Sequence, residues 1–217
     1  MSRFAQVEME PVYGLCHYVL AGLNSAFFRG PVAGLHNIPR EGPFLIAANH
    51  ASHLDPPFIG AQVPRQIAFF ARKSLWKPGI GSWWMDHVGC IPVEREGGDV
   101  QAIKRVLQTL QSGKALILFP EGTRSDHGEL QPAKAGVGLI ACKTRVPVLP
   151  ARIFGSQIAF GKGRPLKPGT PVSIVFGPLL QPDDYDHKAD GKERYQRASE
   201  RIMDAIAALK EPQAAVV

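Results

Sequence analysis

Asn49-His50-Ala51-Ser52-His53-Leu54-Asp55-Pro56 follows directly on the apolar run Phe44-Leu45-Ile46-Ala47-Ala48. That run, set behind Gly42-Pro43, has the length and boundary of a buried strand, expected over Pro43 to Ala48. A histidine and a carboxylate at the end of a core strand can be held rigidly while still facing a cleft. On a regular helix His50 and Asp55 would point about 140° apart, so a turn must bring them together. Asp55 stands before Pro56, which disfavours helical geometry at Asp55, while Pro56 suits the first position of a helix. The spacing predicts Asp55 as the N-cap, its carboxylate accepting from the helix and from an imidazole. The chemistry on offer is a dyad in which Asp55 orients His50 and His50 takes a proton from a hydroxyl. Two other readings of the same residues stay open: a merely satisfied polar pair, and a metal site using His50, His53 and Asp55.

Working outward, the pattern is one of alternating strands and helices. Arg65 to Ala71 reads as a strand that ends in Arg72-Lys73, and Gly89 to Arg95 as another that ends in a cation. Asp99 to Ser112 is the clearest helix, with Asp99 as cap, Val106 and Leu110 on its stripe, and Gly113 as stop. Lys114 to Phe119 is a strand, Lys134 to Lys143 a short helix, and Val146 to Phe154 a strand broken by prolines. Pro171 to Gly177 reads as the last strand and Lys192 to Lys210 as an amphipathic helix. This order predicts an α/β fold, a single domain with a mostly parallel mixed sheet flanked by helices. Trp76, Trp83, Trp84 and Met85 suggest an apolar surface or tunnel wall.

The strand ending at Phe119 runs into Pro120-Glu121-Gly122-Thr123-Arg124-Ser125. Gly122 permits close backbone approach, Thr123 and Ser125 supply hydroxyls, and Arg124 supplies a fork suited to phosphate. Open α/β sheets bind ligands at the carboxyl ends of their strands, where this loop, Lys73 and the His50 motif all belong.

The chain has 217 residues and a net charge of +6, a balance that favours an anionic partner. No dense Lys/Arg run with interleaved aromatics points to nucleic acid. Three cysteines lie far apart, at Cys16, Cys90 and Cys142, without a ligand or disulfide spacing, and no signal-peptide pattern is present. From Pro11 to Phe28 there is no charged residue. His17, Asn24, Ser25 and two glycines argue against a membrane span there, and Tyr13, Tyr18, Phe27 and Phe28 favour an interfacial helix. A core-packing helix is the alternative. The organisation expected is a membrane-interfacial helical segment over 1–30 and a folded domain over 31–217.

Four motifs now stand in order between Asn49 and Pro150, and together they resemble the glycerolipid acyltransferase family. Its first motif, Asn-His-x4-Asp, is matched by Asn49 to Asp55, and its second by Gly89-Cys-Ile91-Pro-Val-Glu-Arg95. Its third is present entire at Phe119 to Ser125, and its fourth is met by Val146-Pro147-Val148-Leu149-Pro150. The resemblance is clearest from Gly42 to about Phe154. It implies transfer of an acyl group from acyl-CoA or acyl-carrier protein to the sn-2 hydroxyl of 1-acylglycerol-3-phosphate, as in the bacterial 1-acylglycerol-3-phosphate acyltransferases. It further implies His50 as general base with Asp55 orienting it, and Arg95, Gly122, Thr123 and Arg124 around the acceptor phosphate. Glu121 would orient the loop or touch the glycerol, and Lys73 joins the set on charge and placement. Because a thioester is already activated, no metal, cofactor or acyl-enzyme is expected, and Ser52 and Cys90 are poor nucleophile candidates. The implied setting is the cytoplasmic face of the inner membrane. The remaining alternatives are another lysolipid as acceptor, a metal-dependent hydrolase, and a lipid-binding protein without catalysis.

Overall fold

Two short runs, Leu45–Ala48 (β2) and Ala115–Leu118 (β5), are buried at every residue, the signature of strands covered on both faces of a parallel sheet. Their side chains alternate. Leu45, Ala47, Leu116 and Leu118 enter one core, while Phe44, Ile46, Ala48, Ala115 and Ile117 enter the other. The computed structural model describes residues 9–76, 79–93 and 100–212, and the sequence expectations for Arg95 and for the Asp99 cap lie outside them.

Around this pair the sheet adds Val32–Ala33 (β1), Ile67–Arg72 (β3), Cys90–Val93 (β4), Val148–Phe154 (β6) and Ser173–Phe176 (β7), in the order β1-β7-β6-β2-β5-β3-β4. All pairings are parallel except β6 with β7. The mostly parallel mixed sheet read from the sequence is thus the one observed. One strand differs: β6 is not broken by its prolines, and Pro150 stays in register opposite Ala47. Its carbonyl accepts from Gly177 at 2.8 Å, so the residue keeps one ladder bond although it has no N–H to give.

On one face lie Val100–Gln111 (α4), Ala135–Thr144 (α5) and Arg194–Ala208 (α8), which bury Val106, Leu110, Ile140, Ile202 and Ile206. Helices α5 and α8 approach so closely at Gly138 that a Cβ there would stand 2.0 Å from the Tyr195 carbonyl. The Gly138 N–H instead donates to Ser199 Oγ at 2.7 Å. On the other face Asp55–Gly60 (α2) supplies Phe58 and Ile59. Pro11–Phe27 (α1) lies against α2, pinned by Tyr13, whose hydroxyl accepts from the Ile67 N–H at 3.3 Å. Burial pushes the Tyr13 phenol up to about 12. The short helices Ile80–His87 (α3), Ser156–Phe160 (α6) and Pro182–Tyr185 (α7) complete the chain.

The amino end of the sheet is closed by Arg65, 4% exposed, which donates to the Gly42 carbonyl at 2.9 Å and to the Gly113 carbonyl at 3.2 Å. One guanidinium therefore ties the turns that feed β2 and β5. The opposite, carboxyl end stays open for function.

Candidate active site

Strands β2, β3, β4, β5 and β6 run parallel where they pair, so the segments leaving them emerge at one end. β2 leads to His50, β5 to Pro120 through Ser125, and β3 to the 3-10 turn that begins at Lys73. Lys73 is exposed there. Topology alone brings together these three stretches of sequence.

His50 is fixed from every side. Its Nδ1 lies 2.9 Å from Asp55 Oδ2. That oxygen also accepts from the Ala51 N–H at 2.6 Å and the Ser52 N–H at 2.7 Å. A carboxylate that accepts two backbone protons has none to offer, so the shared proton belongs to Nδ1 and the Nε2 lone pair is left for a substrate. The imidazole stacks on Phe119 at 4.1 Å, the His50 N–H donates to Glu121 Oε1 at 2.9 Å, and its carbonyl accepts from the Ser125 N–H at 2.8 Å.

Asp55 takes its place by a different route from the one its sequence suggests. The helix starts at Asp55 itself, behind Leu54, and no side chain caps it. Pro56 fits the first turn regardless, and the Asp55 carboxylate turns backward to close the 50–55 turn instead of forward onto the helix. Two neighbours hold that turn. Asn49 docks its amide on β6, donating to the Ile153 carbonyl at 3.0 Å and accepting from the Ile153 N–H at 2.8 Å. Ser52 is fully buried, donating to the Phe160 carbonyl at 2.7 Å while its oxygen accepts from the Leu54 N–H. Neither role can be read from the octapeptide, because the partners lie on β6 and α6, far along the chain.

Glu121 is 1% exposed. Besides the His50 N–H it accepts from the Gln131 N–H at 3.3 Å, so both oxygens face backbone and the carboxylate orients the loop. Burial raises its pKa from 4.5 to about 7, against the lowering effect of those two bonds. Gly122 follows with φ +66°, a left-handed conformation that a side chain would strain. Over it passes Lys134, whose Cδ would lie 3.1 Å from a Cβ at that position. Lys134 escaped the sequence reading because it sits just before α5, with nothing local to mark it. Thr123 is exposed, and Arg124 keeps a buried Nη1 with no hydrogen-bond partner among the described residues. Both line a polar recess of about 250 Å³ shared with Ser125, His127, Gln131 and Lys162.

Beside the dyad lies a second, apolar cavity of about 350 Å³. Its walls come from α1 (Tyr13, Leu20), α2 (Pro57), β3 (Phe69) and α3 (Met85), with His53 and Pro56 next to the dyad. Met85 thus lines a cavity as its surroundings suggested, while Trp83 is 50% exposed and the Trp76 indole donates to Asp86. Cys90 borders the same space, and burial pushes its thiol up to about 11, which keeps it protonated and unreactive at neutral pH. Among the described residues no three His, Cys, Asp or Glu side chains gather as a metal-ligand group, and no helix is long and apolar enough to cross a membrane.

Residues 30–154 match the family model described as Acyltransferase, more than half of the chain. A 1-acyl-sn-glycerol-3-phosphate acyltransferase of Bacillus subtilis is 28% identical over 92% of this chain and 97% of its own length. A chloroplastic enzyme of the same name from Brassica napus is 32% identical over 76% of this chain. The chain spans 47% of that plant protein and 37% of an Arabidopsis thaliana relative, so about half the length of these curated relatives. Among solved structures, the 1-acyl-sn-glycerophosphate (LPA) acyltransferase PlsC from Thermotoga maritima superposes with a TM-score of 0.72. It is 26% identical, over 92% of this chain and 83% of that one.

Proposed function

The chain belongs to the acyltransferase family, and from that premise we propose that it acylates the free sn-2 hydroxyl of 1-acylglycerol-3-phosphate, giving phosphatidic acid. The observation that carries the reading is the His50 Nδ1–Asp55 Oδ2 bond at the carboxyl end of β2, with an apolar cavity reaching the neighbouring His53 and Pro56 and a polar recess that holds Arg124. The named activity of the relatives from Bacillus and Thermotoga supports it.

In this mechanism His50 Nε2 takes the proton of the acceptor hydroxyl as the oxygen attacks the thioester carbonyl of acyl-CoA or an acyl-carrier protein. Asp55 holds the Nδ1–H tautomer and stabilises the imidazolium. Collapse of the tetrahedral intermediate breaks the C–S bond, and the imidazolium returns its proton to the departing sulfur. No acyl-enzyme is needed. The Arg124 Nη1 and Thr123 hydroxyl are placed for the acceptor phosphate, with Lys134 and Lys73 adding charge and Gly122 leaving room for its approach. Arg95 belongs to this set through its motif. The apolar cavity is suited to an acyl chain, and its wall reaches His53 and Pro56, next to the dyad in sequence.

The membrane reading places the protein on the cytoplasmic face of the inner membrane, and what supports membrane contact is helix α1. It buries Tyr13 and Cys16 but leaves Leu15, Tyr18, Val19, Leu23 and Phe27 between 48% and 73% exposed. Large apolar residues recurring at helical spacing on the outer face suit a bilayer interface. The two roles weighed for this segment, core packing and membrane contact, therefore occupy opposite faces of one helix.

The test is thiol release from palmitoyl-CoA and from a carrier-protein thioester, with lysophosphatidate set against a panel of other lysolipids and no added metal. The expected result is release that depends on lysophosphatidate. Release with a different lysolipid alone would keep the mechanism and move the acceptor. Silence with every pair, from folded protein on vesicles, would overturn the reading.

A further inference from the structure

Lys162-Gly163-Arg164-Pro165-Leu166-Lys167-Pro168-Gly169 is exposed at all eight positions, carries three cations and no acid, and presents Leu166 at 50%. Apart from Lys162, which lines the polar recess, the loop lies outside both cavities of the site. Two prolines fix much of its backbone, and its ends are tied. The Lys167 N–H donates to the Ala159 carbonyl at 2.8 Å, and the Arg164 N–H to the Gly161 carbonyl at 3.1 Å. The loop is therefore held outward, and its exposed leucine is not the product of a slack chain.

Its position is set by three contacts. The Gly169 N–H donates to the Phe27 carbonyl at 2.6 Å, which joins the loop to the end of α1 beside exposed Phe27 and Arg29. At the loop's other end Phe160 packs on His53 at 5.8 Å, and His53 lines the apolar cavity. Lys162 bridges to Asp126 at 2.9 Å and ties the loop to the segment after Arg124. Arg164 and Lys167 make no side-chain hydrogen bond or ion pair among the described residues. Leu166 thus stands exposed between two cations in a loop whose end is joined to the end of α1 at Phe27.

We propose that the 162–169 loop is a second membrane contact, docking on an anionic bilayer with Leu166 at the acyl boundary and Arg164 and Lys167 on lipid headgroups. The proposal rests on the membrane docking assigned to α1 and extends it. Helix α1 supplies apolar contact and almost no charge, so the loop supplies the preference for anionic lipid. With both elements seated, the dyad and the mouth of the apolar cavity are held near the leaflet from which the acceptor comes. An acidic carrier protein would also attract cations, but it gives no use to an outward leucine in a loop tied to the end of an exposed apolar helix.

The experiment is co-sedimentation of the full chain with neutral phosphatidylcholine vesicles and with vesicles containing about a third phosphatidylglycerol, at low and high salt. A juxtamembrane cation contributes about fivefold in partition. R164E/K167E should therefore lower binding to the anionic vesicles by more than tenfold and leave the neutral ones unaffected. L166D should weaken binding to both, and added salt should abolish the wild type's anionic preference. The thermal midpoint and turnover on detergent-dispersed substrate should stay at wild-type values in each variant. If R164E/K167E and L166D sediment like wild type while Leu23→Asp does not, α1 docks alone and the loop proposal is overturned. If the wild type binds neither vesicle, the docking of α1 fails as well. A rise in KM for the carrier-protein thioester, with vesicle binding intact, would assign the loop to that protein and overturn the membrane contact.

Discussion

The turn that carries His50 and the loop tip from Gly122 to Arg124 leave neighbouring parallel strands, yet they are built in opposite ways. At His50 the backbone N–H, the carbonyl, the ring face and Nδ1 all have partners, and Asp55 is fully buried with three donors on one oxygen. Six residues of turn are held by Asn49, Ser52, Glu121 and Ser125. At the tip, Thr123 is exposed, the Arg124 Nη1, like the second Asp55 oxygen, is buried without a hydrogen-bond partner among the described residues, and Gly122 holds a left-handed conformation under Lys134. The difference separates two tasks. Proton transfer needs a base fixed within a fraction of an ångström, whereas a charged headgroup is gripped by donors whose bonds are not yet made.

Breaking the rigid half should cost most. His50→Ala should lower kcat by about 10²–10⁴, the usual worth of a general base. Asp55→Asn should come close to it, because the amide oxygen can still accept the backbone N–H groups but the charge that fixes the Nδ1–H tautomer and stabilises the imidazolium is gone. Circular dichroism should read an intact fold in both. Breaking the open half should cost less and appear elsewhere: Arg124→Ala should raise KM for lysophosphatidate by about 10–100-fold, as for one charge-assisted hydrogen bond.

How much of this contrast the sequence carries differs between the halves. The Asn-His-x4-Asp spacing and the buried run before it are local and make the dyad a candidate, beside a plain polar pair and a metal site, and the resemblance over four motifs selects it. The strands around it were legible for the same reason, as was the stripe of α8. The clamp on the dyad was not, because Asn49 and Ser52 meet partners on β6 and α6 that only the sheet order brings near. Lys134 over Gly122 and the cavity wall drawn from α1, α2, β3 and α3 are hidden by the same non-locality. Of the two bonds expected of the Asp55 carboxylate, the one to the imidazole is present and the helix cap is not: the proline fixes where a helix can begin, but three donors in the preceding turn outweigh one cap bond. Continuity of β6 through Pro150 likewise follows from its neighbours on both sides and not from local propensity.

Two smaller effects sharpen the comparison at its seam. Gly122→Ala should strain the tip by about 1–3 kcal/mol and displace Lys134, seen as a lower thermal midpoint with a modest rise in acceptor KM. Glu121 joins the halves, and its carboxyl has a higher pKa in the folded chain, about 7, than the 4.5 of an ordinary glutamate. Its contribution to stability is therefore full below about pH 4.5 and is lost as pH rises through about 7. Glu121→Gln should flatten that part of the profile of thermal midpoint against pH, and an unchanged slope would place the titration in another group.

The most direct test of the division of labour is a side-by-side determination of kcat and KM for lysophosphatidate in wild type, His50→Ala and Arg124→Ala, followed by thiol release on vesicles. The account predicts that His50→Ala loses kcat with KM within a few-fold of wild type, and that Arg124→Ala raises KM with kcat within a few-fold. A His50→Ala protein that turns over at the wild-type rate would contradict it, because the imidazole oriented by Asp55 would then not be the base.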